Sequence, residues 1–101
     1  MVKMIALYTE PTDREAFDSH YFGTHIPLVN KIPGLVKTEV NRVTGAASGP
    51  APYYLMVSLY FNSKEEMDTA LATPEGRATG KDLRNFTTPG QATITFAEVV
   101  E

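Results

Sequence analysis

The chain contains two histidines, His20 and His25, and histidine is the side chain best suited to proton transfer near neutral pH. His25 lies one helical turn after Tyr21 and two residues before Pro27. Because proline lacks a backbone N–H, we expect the helix to be kinked or to restart near Thr24. At the start of a new helix, the positive end of the dipole would keep the His25 imidazole neutral. We therefore predict that His25 is a catalytic general base.

Two other roles for the histidines compete with this one. His25 on an apolar helix face is also typical of a core histidine that is hydrogen-bonded to a backbone carbonyl. His20 and His25 are separated by five positions, so on a continuous α-helix of ~3.6 residues per turn they point about 140° apart. Helical histidines that share a metal are spaced by three or four residues, and only a break at Gly23 would bring these two rings together. We expect no metal site, and we place His20 at the border of the helix surface.

Five further residues are candidates for contact with a ligand. One lies a helical turn before His25, and the others lie where the first strand, the third strand and the second helical region end. If these ends meet at one end of the sheet, the side chains would border a molecule held beside His25. We predict the following substrate-binding residues: Tyr8, Tyr21, Tyr60, Asn85 and Phe86. Tyrosines within strands also fill cores and dimer interfaces, and Asn85 could instead cap its helix.

Patterns typical of several other enzyme classes are absent from the sequence. The chain has no cysteine, which excludes thiol nucleophiles, disulfides and thiolate metal ligands. It has no G-x-S-x-G motif, and Gly45 and Gly49 lead into Pro50 rather than into a helix, which does not fit a phosphate-binding loop. We expect the protein to work without a cofactor.

The composition is that of a compact globular domain. The chain has 101 residues, 43% of them hydrophobic and 21% charged, with a net charge of −3, and we expect a single domain spanning residues 1–101. No basic cluster marks a nucleic-acid partner, and no apolar run approaches the ~20 residues of a membrane span. The first residues do not resemble a signal peptide, so we expect a cytoplasmic protein. We expect its ligand to be a small molecule.

Strand and helix patterns alternate along the chain and would position these side chains. Strand patterns cover Lys3–Thr9, Leu35–Val43, Tyr53–Phe61 and Ala92–Val100. Capping boxes predict helix starts at Thr12 and Ser63, and Pro74 after Thr73 predicts that the second helical region restarts there. Pro-Gly pairs at Pro33 and Pro89 predict turns before the second and fourth strands.

The order β-α-β-β-α-β predicts an α+β fold of the ferredoxin-like type, with a four-stranded antiparallel sheet. Two helical regions can cover only one face of such a sheet. Tyr53–Phe61, however, carries large apolar side chains on both faces. A second copy of the same sheet is the simplest cover for the other face, so we predict a homodimer.

The segment Phe17 to Leu28 reads FDSHYFGTHIPL and resembles the EthD family signature, F-x2-H-Y-x3-H-x-P-L, at every lettered position. Similar stretches are Pro33-Gly34-Leu35, Tyr53-Tyr54, Pro74-Glu75-Gly76 and the run from Asp82 to Phe86. The resemblance thus covers nearly the whole chain. It implies a dimeric α+β barrel, in which two four-stranded sheets close on each other and the helices lie outside.

The same resemblance implies small-molecule chemistry in a cleft between the helices and the sheet. The family is associated with bacterial degradation of a fuel ether, and its superfamily includes cofactor-independent monooxygenases, lactone isomerases and fungal dehydratases. We therefore expect an oxidoreductase or monooxygenase-type protein that acts on a small apolar or aromatic compound in catabolism, with His25 moving a proton. Two alternatives stay open: a dehydratase or isomerase that uses the same base, and a non-catalytic binding or accessory protein of a degradation pathway.

Overall fold

A four-stranded antiparallel sheet forms the centre of the computed structural model, which describes residues 1–101. Its strands are β1 (Val2–Tyr8), β2 (Lys37–Arg42), β3 (Leu55–Phe61) and β4 (Ala92–Glu98). They lie in the order β2-β3-β1-β4, and every neighbouring pair is antiparallel. The predicted α+β fold with ferredoxin-like topology is therefore confirmed.

The helical elements pack on one face of this sheet. They are α1 (Arg14–His20), a π-helical segment (Tyr21–His25), α2 (Ile26–Val29), α3 (Lys64–Ala72), α4 (Pro74–Asp82) and a 3₁₀ turn (Leu83–Asn85). None of them has the length and the apolar character needed to cross a bilayer.

Side-chain caps account for the helix starts. Ser63 accepts a hydrogen bond from the Glu66 amide, and Thr73 precedes Pro74 and caps α4, as predicted. The predicted start at Thr12 is wrong by one residue, because Asp13 is the cap and its carboxylate accepts from the Ala16 amide at 3.0 Å. Aspartate and threonine are both good caps, and the sequence pattern alone did not separate them.

The two central strands carry the core residues that face the helices. Along β3, Leu55, Val57, Leu59 and Phe61 share one face, as the period of two residues in a strand requires, and all four are buried. Tyr8 at the end of β1 is paired with Leu55 and is buried on the same face. The core thus lies between β1, β3 and the helices.

The opposite face of the sheet has no helix against it. Ile5 and Leu7 of β1 and Met56 and Tyr60 of β3 lie on this open face, and they are half-buried or exposed. The prediction that β3 carries large side chains on both faces is confirmed.

Two close contacts position the helices. Asp18 of α1 accepts hydrogen bonds from the Tyr54 hydroxyl at 2.9 Å and from the Arg42 guanidinium at 3.2 Å, which ties α1 to β2 and to the residue before β3. Gly76 allows α4 to pack against the end of α3, since a Cβ at this position would lie 2.5 Å from the Ala70 carbonyl oxygen. The first contact joins a helix to the sheet, and the second sets how closely the two later helices approach each other.

Candidate functional site

A widened helical turn positions both histidines. In the segment Tyr21–His25, the backbone hydrogen bonds follow the π-helical pattern. The Ile26 N–H donates to the Tyr21 carbonyl, five residues earlier. Pro27 accounts for the wide turn, because its ring would collide with the Gly23 carbonyl in an α-helical turn and it has no N–H to donate.

Of the two outcomes expected for the helix near Thr24, a kink or a restart, the structure does not show a restart. His25 (φ −68°, ψ −49°) and Ile26 (φ −61°, ψ −41°) keep helical dihedral angles, so the chain passes from α1 through the wide turn into α2 without a break. His25 therefore does not lie at the exposed N-terminus of a new helix. The proposed dipole effect on its imidazole does not apply.

The wide turn has a second consequence for the histidines. A π-helical turn brings residues five positions apart onto one side, so the separation of about 140° expected for a continuous α-helix does not apply here. Both imidazoles reach the same carboxylate, that of Asp82 at the end of α4. His25 Nδ1 lies 2.8 Å from Asp82 Oδ2, and His20 Nε2 lies 3.0 Å from each carboxylate oxygen.

Asp82 is the centre of a hydrogen-bond network that joins α1, the π-helical segment and α4. Besides the two imidazoles, the Asn85 side-chain amide donates to Asp82 Oδ1 at 2.9 Å. Asp82 and His25 are buried, with 6% and 4% of their surface exposed, whereas the His20 side chain keeps 27%. The network runs from the interior at His25 towards the surface at His20.

The network also fixes the charge on Asp82. Burial alone raises the pKa of this carboxyl group, but the hydrogen bonds from Asn85, His25 and His20 outweigh burial and hold its pKa below the ordinary value. An ionised carboxylate accepts hydrogen bonds only, so each contacting imidazole nitrogen must carry a proton. Neutral His25 is thereby assigned the tautomer with hydrogen on Nδ1 and a free lone pair on Nε2.

Burial keeps His25 uncharged near pH 7. Its pKa is lowered chiefly by removal of the imidazole from water, and the charge of His20 adds a smaller lowering effect. The hydrogen bond and the negative charge of Asp82 act in the opposite direction without reversing the shift. Burial rather than a helix dipole thus favours the neutral form of His25, and its role as a base stays a prediction.

A cavity of about 290 Å³ lies between the helices and the sheet beside His25. Its walls are mainly apolar, with Met4, Ile32, Leu71, Leu83 and Ile94 among the lining side chains. The polar groups at this cavity belong to the following residues: Tyr8, His25, Arg77 and Thr79. The volume is at the lower end of the range of about 300–1,000 Å³ for small-molecule sites.

The free nitrogen of His25 faces this cavity. Nε2 makes no hydrogen bond within the chain. Every fully buried side-chain nitrogen or oxygen has a hydrogen-bond partner, so Nε2 is not fully buried. Nε2 must therefore be reached from the space that His25 lines. A base with one nitrogen fixed by a carboxylate and the other open to a cavity is the arrangement that general base catalysis requires.

A cluster of aromatic rings packs around the histidines. The Phe86 ring centre lies 4.8 Å from that of His25 and 5.2 Å from that of His20, and Tyr21 is 5.3 Å from His25. Tyr8 packs edge-to-face against Tyr21 and lines the cavity. Burial raises the pKa of both tyrosines, so their hydroxyls stay protonated at neutral pH.

Four of the five predicted ligand-contact residues thus lie near His25, in different roles. Tyr8 lines the cavity, Tyr21 and Phe86 support the imidazole ring, and Asn85 holds Asp82 rather than capping a helix by itself.

Tyr60 does not join the others. It lies on the open face of the sheet, where its hydroxyl donates to the Glu39 carboxylate at 3.4 Å. The ammonium groups of Lys3 and Lys37 lie 5.3 and 4.8 Å from the centre of its ring. The third strand alternates its side chains between faces, so the expected convergence of Tyr60 with His25 is not observed.

Sequence reasoning missed Asp82 and Arg77. Asp82 is separated by 57 residues from His25, so no local spacing connects them. The available signal was its place at the head of the Asp82 to Phe86 run, three residues before Asn85. Arg77 lies in the middle of α4, and only the proline and the glycines of this segment were interpreted from the sequence.

The two histidines share a carboxylate. His20 contacts Asp82 through Nε2 and His25 contacts it through Nδ1, and no group of three or more His, Cys, Asp or Glu side chains is arranged to hold a metal ion.

Comparison with known proteins identifies the family. The model of the EthD domain family matches residues 9–90, which include both histidines, Asp82 and Arg77. The chain belongs to the EthD family. A relative by sequence is a protein of Rhodococcus erythropolis, described as an uncharacterized 11.0 kDa protein in the thcB-thcC intergenic region. It is 35% identical over 98 residues, which cover 97% of this chain and 94% of the relative.

Solved structures agree with this assignment. An ethyl tert-butyl ether d (EthD) family protein from Bacillus halodurans is 44% identical, with a TM-score of 0.92 and 99% of each chain covered. A dimeric ferredoxin-like protein from Thermobifida fusca shares the fold at 16% identity, with a TM-score of 0.71 and coverage of 97% and 90%. A cofactor-independent oxygenase from Streptomyces nogalater shares it at 17% identity, with a TM-score of 0.66 and coverage of 99% and 93%.

Proposed function

We propose that this EthD-family protein is a small-molecule enzyme in which His25 removes a proton from a compound bound in the adjacent cavity. The observation that carries the proposal is the environment of His25. The ring is buried and neutral, Asp82 fixes Nδ1, and Nε2 opens onto an apolar space. A purely structural histidine would have no need of a free nitrogen at a cavity.

Asp82 supports the proton transfer in two ways. It orients the imidazole so that Nε2 faces the substrate, and its negative charge stabilises the imidazolium that forms when Nε2 takes a proton. Asn85 and His20 hold the carboxylate in place from the other side. The substrate is expected to be small and mainly apolar or aromatic, because apolar side chains form most of the cavity wall.

Oxygenation in a catabolic reaction is the first candidate for the overall chemistry. Removal of a proton from an activated C–H or O–H group makes the substrate electron-rich, and dioxygen then acts as the oxidant. A CH2 group of the substrate becomes a carbonyl group: one oxygen atom enters the substrate, the other leaves as water with the two hydrogens of that group, and the substrate itself supplies all four electrons. The shared fold of the Streptomyces nogalater oxygenase, which works without a cofactor, supports this proposal. Under the proposal, the protein is an oxidoreductase of organic-compound degradation.

Dehydration or isomerisation is the second candidate, and the contact between His25 and Asp82 favours it. An imidazolium that is held in place by a carboxylate can return its proton at another position of the same substrate. The mass of the product separates the two reactions, since oxygenation adds oxygen, dehydration removes water and isomerisation changes nothing.

We also propose that the protein acts as a homodimer in the cytoplasm. The open face of the sheet, with Ile5, Leu7, Met56 and Tyr60, supports the dimer, and a structural neighbour of the same fold is dimeric. The lack of cysteine fits a reducing compartment.

The function is tested by turnover of a panel of small hydroxyaromatic compounds, with product mass as the readout. We expect His25→Ala to reduce turnover about 10²- to 10⁴-fold, because a positioned base contributes that much. Glu15→Ala, which changes an exposed residue of α1, is the matched control and should leave turnover unchanged. Compounds that bind to the wild-type protein and are recovered unaltered would instead indicate a carrier or accessory protein.

A further inference from the structure

Arg77 is the single charged side chain at the cavity beside His25. The chain as a whole is acidic, with twelve Asp and Glu against nine Lys and Arg, yet no carboxylate lines this cavity. His25 itself is neutral, as its lowered pKa indicates. The cavity therefore carries a net positive charge in a wall that is otherwise mainly apolar.

Arg77 lines the cavity and is exposed to solvent, and its charge is not neutralised within the chain. Its Nε–H donates to the Ala72 carbonyl oxygen at 2.9 Å, where α3 ends. No acidic side chain forms an ion pair with Arg77, whereas Arg14 is paired with Glu10 and Arg42 with Asp18. Both Nη groups of Arg77 are consequently free of partners within the chain.

We propose that the natural ligand of this cavity is a small apolar or aromatic compound that carries an anionic oxygen group, with Arg77 as its anchor. A guanidinium that offers its two Nη groups matches the two oxygens of a carboxylate, and it binds phenolate or enolate oxygens by the same charge-assisted hydrogen bonds. The apolar body of the compound then lies against Ile32, Leu83 and Ile94, and His25 lines the same cavity. The inference rests on the proposed function, because it assigns the substrate class of the same cavity.

Two glycines on α4 line the cavity together with Arg77, namely Gly76 and Gly80. A Cβ at Gly80 would meet no other atom within 4 Å, so no side chain fills the space next to this position. The cavity wall is therefore open where α4 passes Gly80.

The test compares benzoate with benzyl alcohol, which has a similar ring and size but no charge. Binding of each probe is followed by NMR through the methyl signals of Ile32, Leu83 and Ile94. We expect benzoate to shift these signals and to bind about tenfold or more weakly to Arg77→Gln, as loss of a charge-assisted hydrogen bond predicts. The affinity for benzyl alcohol should not change, and Arg84→Gln, which alters an arginine outside the cavity, should leave the affinity for benzoate unchanged.

Arg77→Lys gives a second measurement, because it keeps the charge and loses the planar pair of donors. We expect its affinity for benzoate to lie between those of the wild type and Arg77→Gln. The proposal is overturned if benzoate binds to Arg77→Gln as tightly as to the wild type, if benzyl alcohol binds as tightly as benzoate, or if neither probe shifts the cavity signals. Because binding is measured without turnover, a failure of His25→Ala to reduce turnover would contradict the proposed function and leave this result intact.

Discussion

At the level of single residues, the chemistry of His25 depends on Asp82. The carboxylate takes one imidazole nitrogen and leaves the other for the cavity, and its charge limits how far burial lowers the pKa of His25. The sequence predicted His25 from its neighbours Tyr21 and Pro27, which are close along the chain. It did not predict Asp82, because a contact between residues 57 positions apart arises only when α4 packs beside the π-helical segment.

Asp82→Asn tests this dependence. The amide removes the negative charge that raises the pKa of His25 and replaces one acceptor oxygen with an NH2 donor, so we expect this pKa to fall further. The variant should also lose about 1–3 kcal/mol of unfolding free energy, because buried donors lose their partner. NMR titration of the imidazole and urea unfolding measure the two effects.

Asp68→Asn is the matched control for that variant. Asp68 is an exposed carboxylate on α3 that pairs with Lys64. We expect a change in unfolding free energy of less than about 0.5 kcal/mol and no change in the titration of His25. An equal effect of both substitutions would contradict the special role of Asp82.

The buried imidazole also predicts how stability changes with pH. The pKa of His25 is lowered in the folded protein from the ordinary value of 6.5, so the unfolded chain binds the proton more readily. The stabilising contribution of neutral His25 is therefore complete above pH 6.5 and is lost as the pH falls towards its folded pKa. The pKa of Asp82 is also lowered in the folded protein, so a further loss of stability follows as the pH falls below the ordinary pKa of 3.8.

Urea unfolding between about pH 7.5 and about pH 5 measures the contribution of His25. We expect the wild type to lose stability across this range and His25→Gln to lose less. A wild-type protein whose unfolding free energy stays constant or rises on acidification would show that His25 is not buried as a neutral base.

At the level of elements, the wide turn in the first helical region decides which residues meet. The sequence correctly predicted that Pro27 disturbs the helix, but the disturbance takes the form of a π-helical turn instead of a break. Local sequence does not distinguish these outcomes, because both leave the Gly23 carbonyl without its usual partner. The strand boundaries and the starts of α3 and α4 could be predicted closely, because alternation and caps are local signals.

Two glycines of α4 provide a matched pair of variants that tests the packing of α3 against α4. A Cβ at Gly76 would lie 2.5 Å from the Ala70 carbonyl oxygen, whereas one at Gly80 meets no other atom within 4 Å. We expect Gly80→Ala to stabilise the protein by up to about 1 kcal/mol, since alanine is the better helix former. Gly76→Ala should destabilise it by about 1–3 kcal/mol, because α3 and α4 would be pushed apart. Thermal or urea unfolding of both variants measures the difference, and equal effects would mean that α3 and α4 do not pack as closely as described.

At the level of the whole molecule, the open face of the sheet is the surface at which we propose that a second copy packs. A four-stranded sheet with helices on one side leaves Ile5, Leu7 and Met56 without cover from the chain. The apolar side chains on both faces of β3 predicted from the sequence alone that one apolar face would lack cover from the helices, because strand alternation is a reliable signal. The cavity beside His25 could not be predicted in this way, since its walls come from β1, β4 and both helical regions.

Light scattering tests the proposed homodimer. We expect twice the chain mass of 11.1 kDa at micromolar concentration for the wild type. Met56→Glu places a charge on the open face and should shift the mass towards that of one chain. Phe22→Glu changes an exposed apolar residue of the helical layer and should leave the dimer intact. A wild-type protein with the mass of one chain would contradict the proposal.

The most direct test of the whole account is nitrogen-15 NMR of the His25 side chain in the wild-type protein at neutral pH. We predict a neutral imidazole with hydrogen on Nδ1, an unprotonated Nε2 and a pKa below 6.5. An imidazole that is charged at neutral pH, or one that carries its hydrogen on Nε2, would contradict the account.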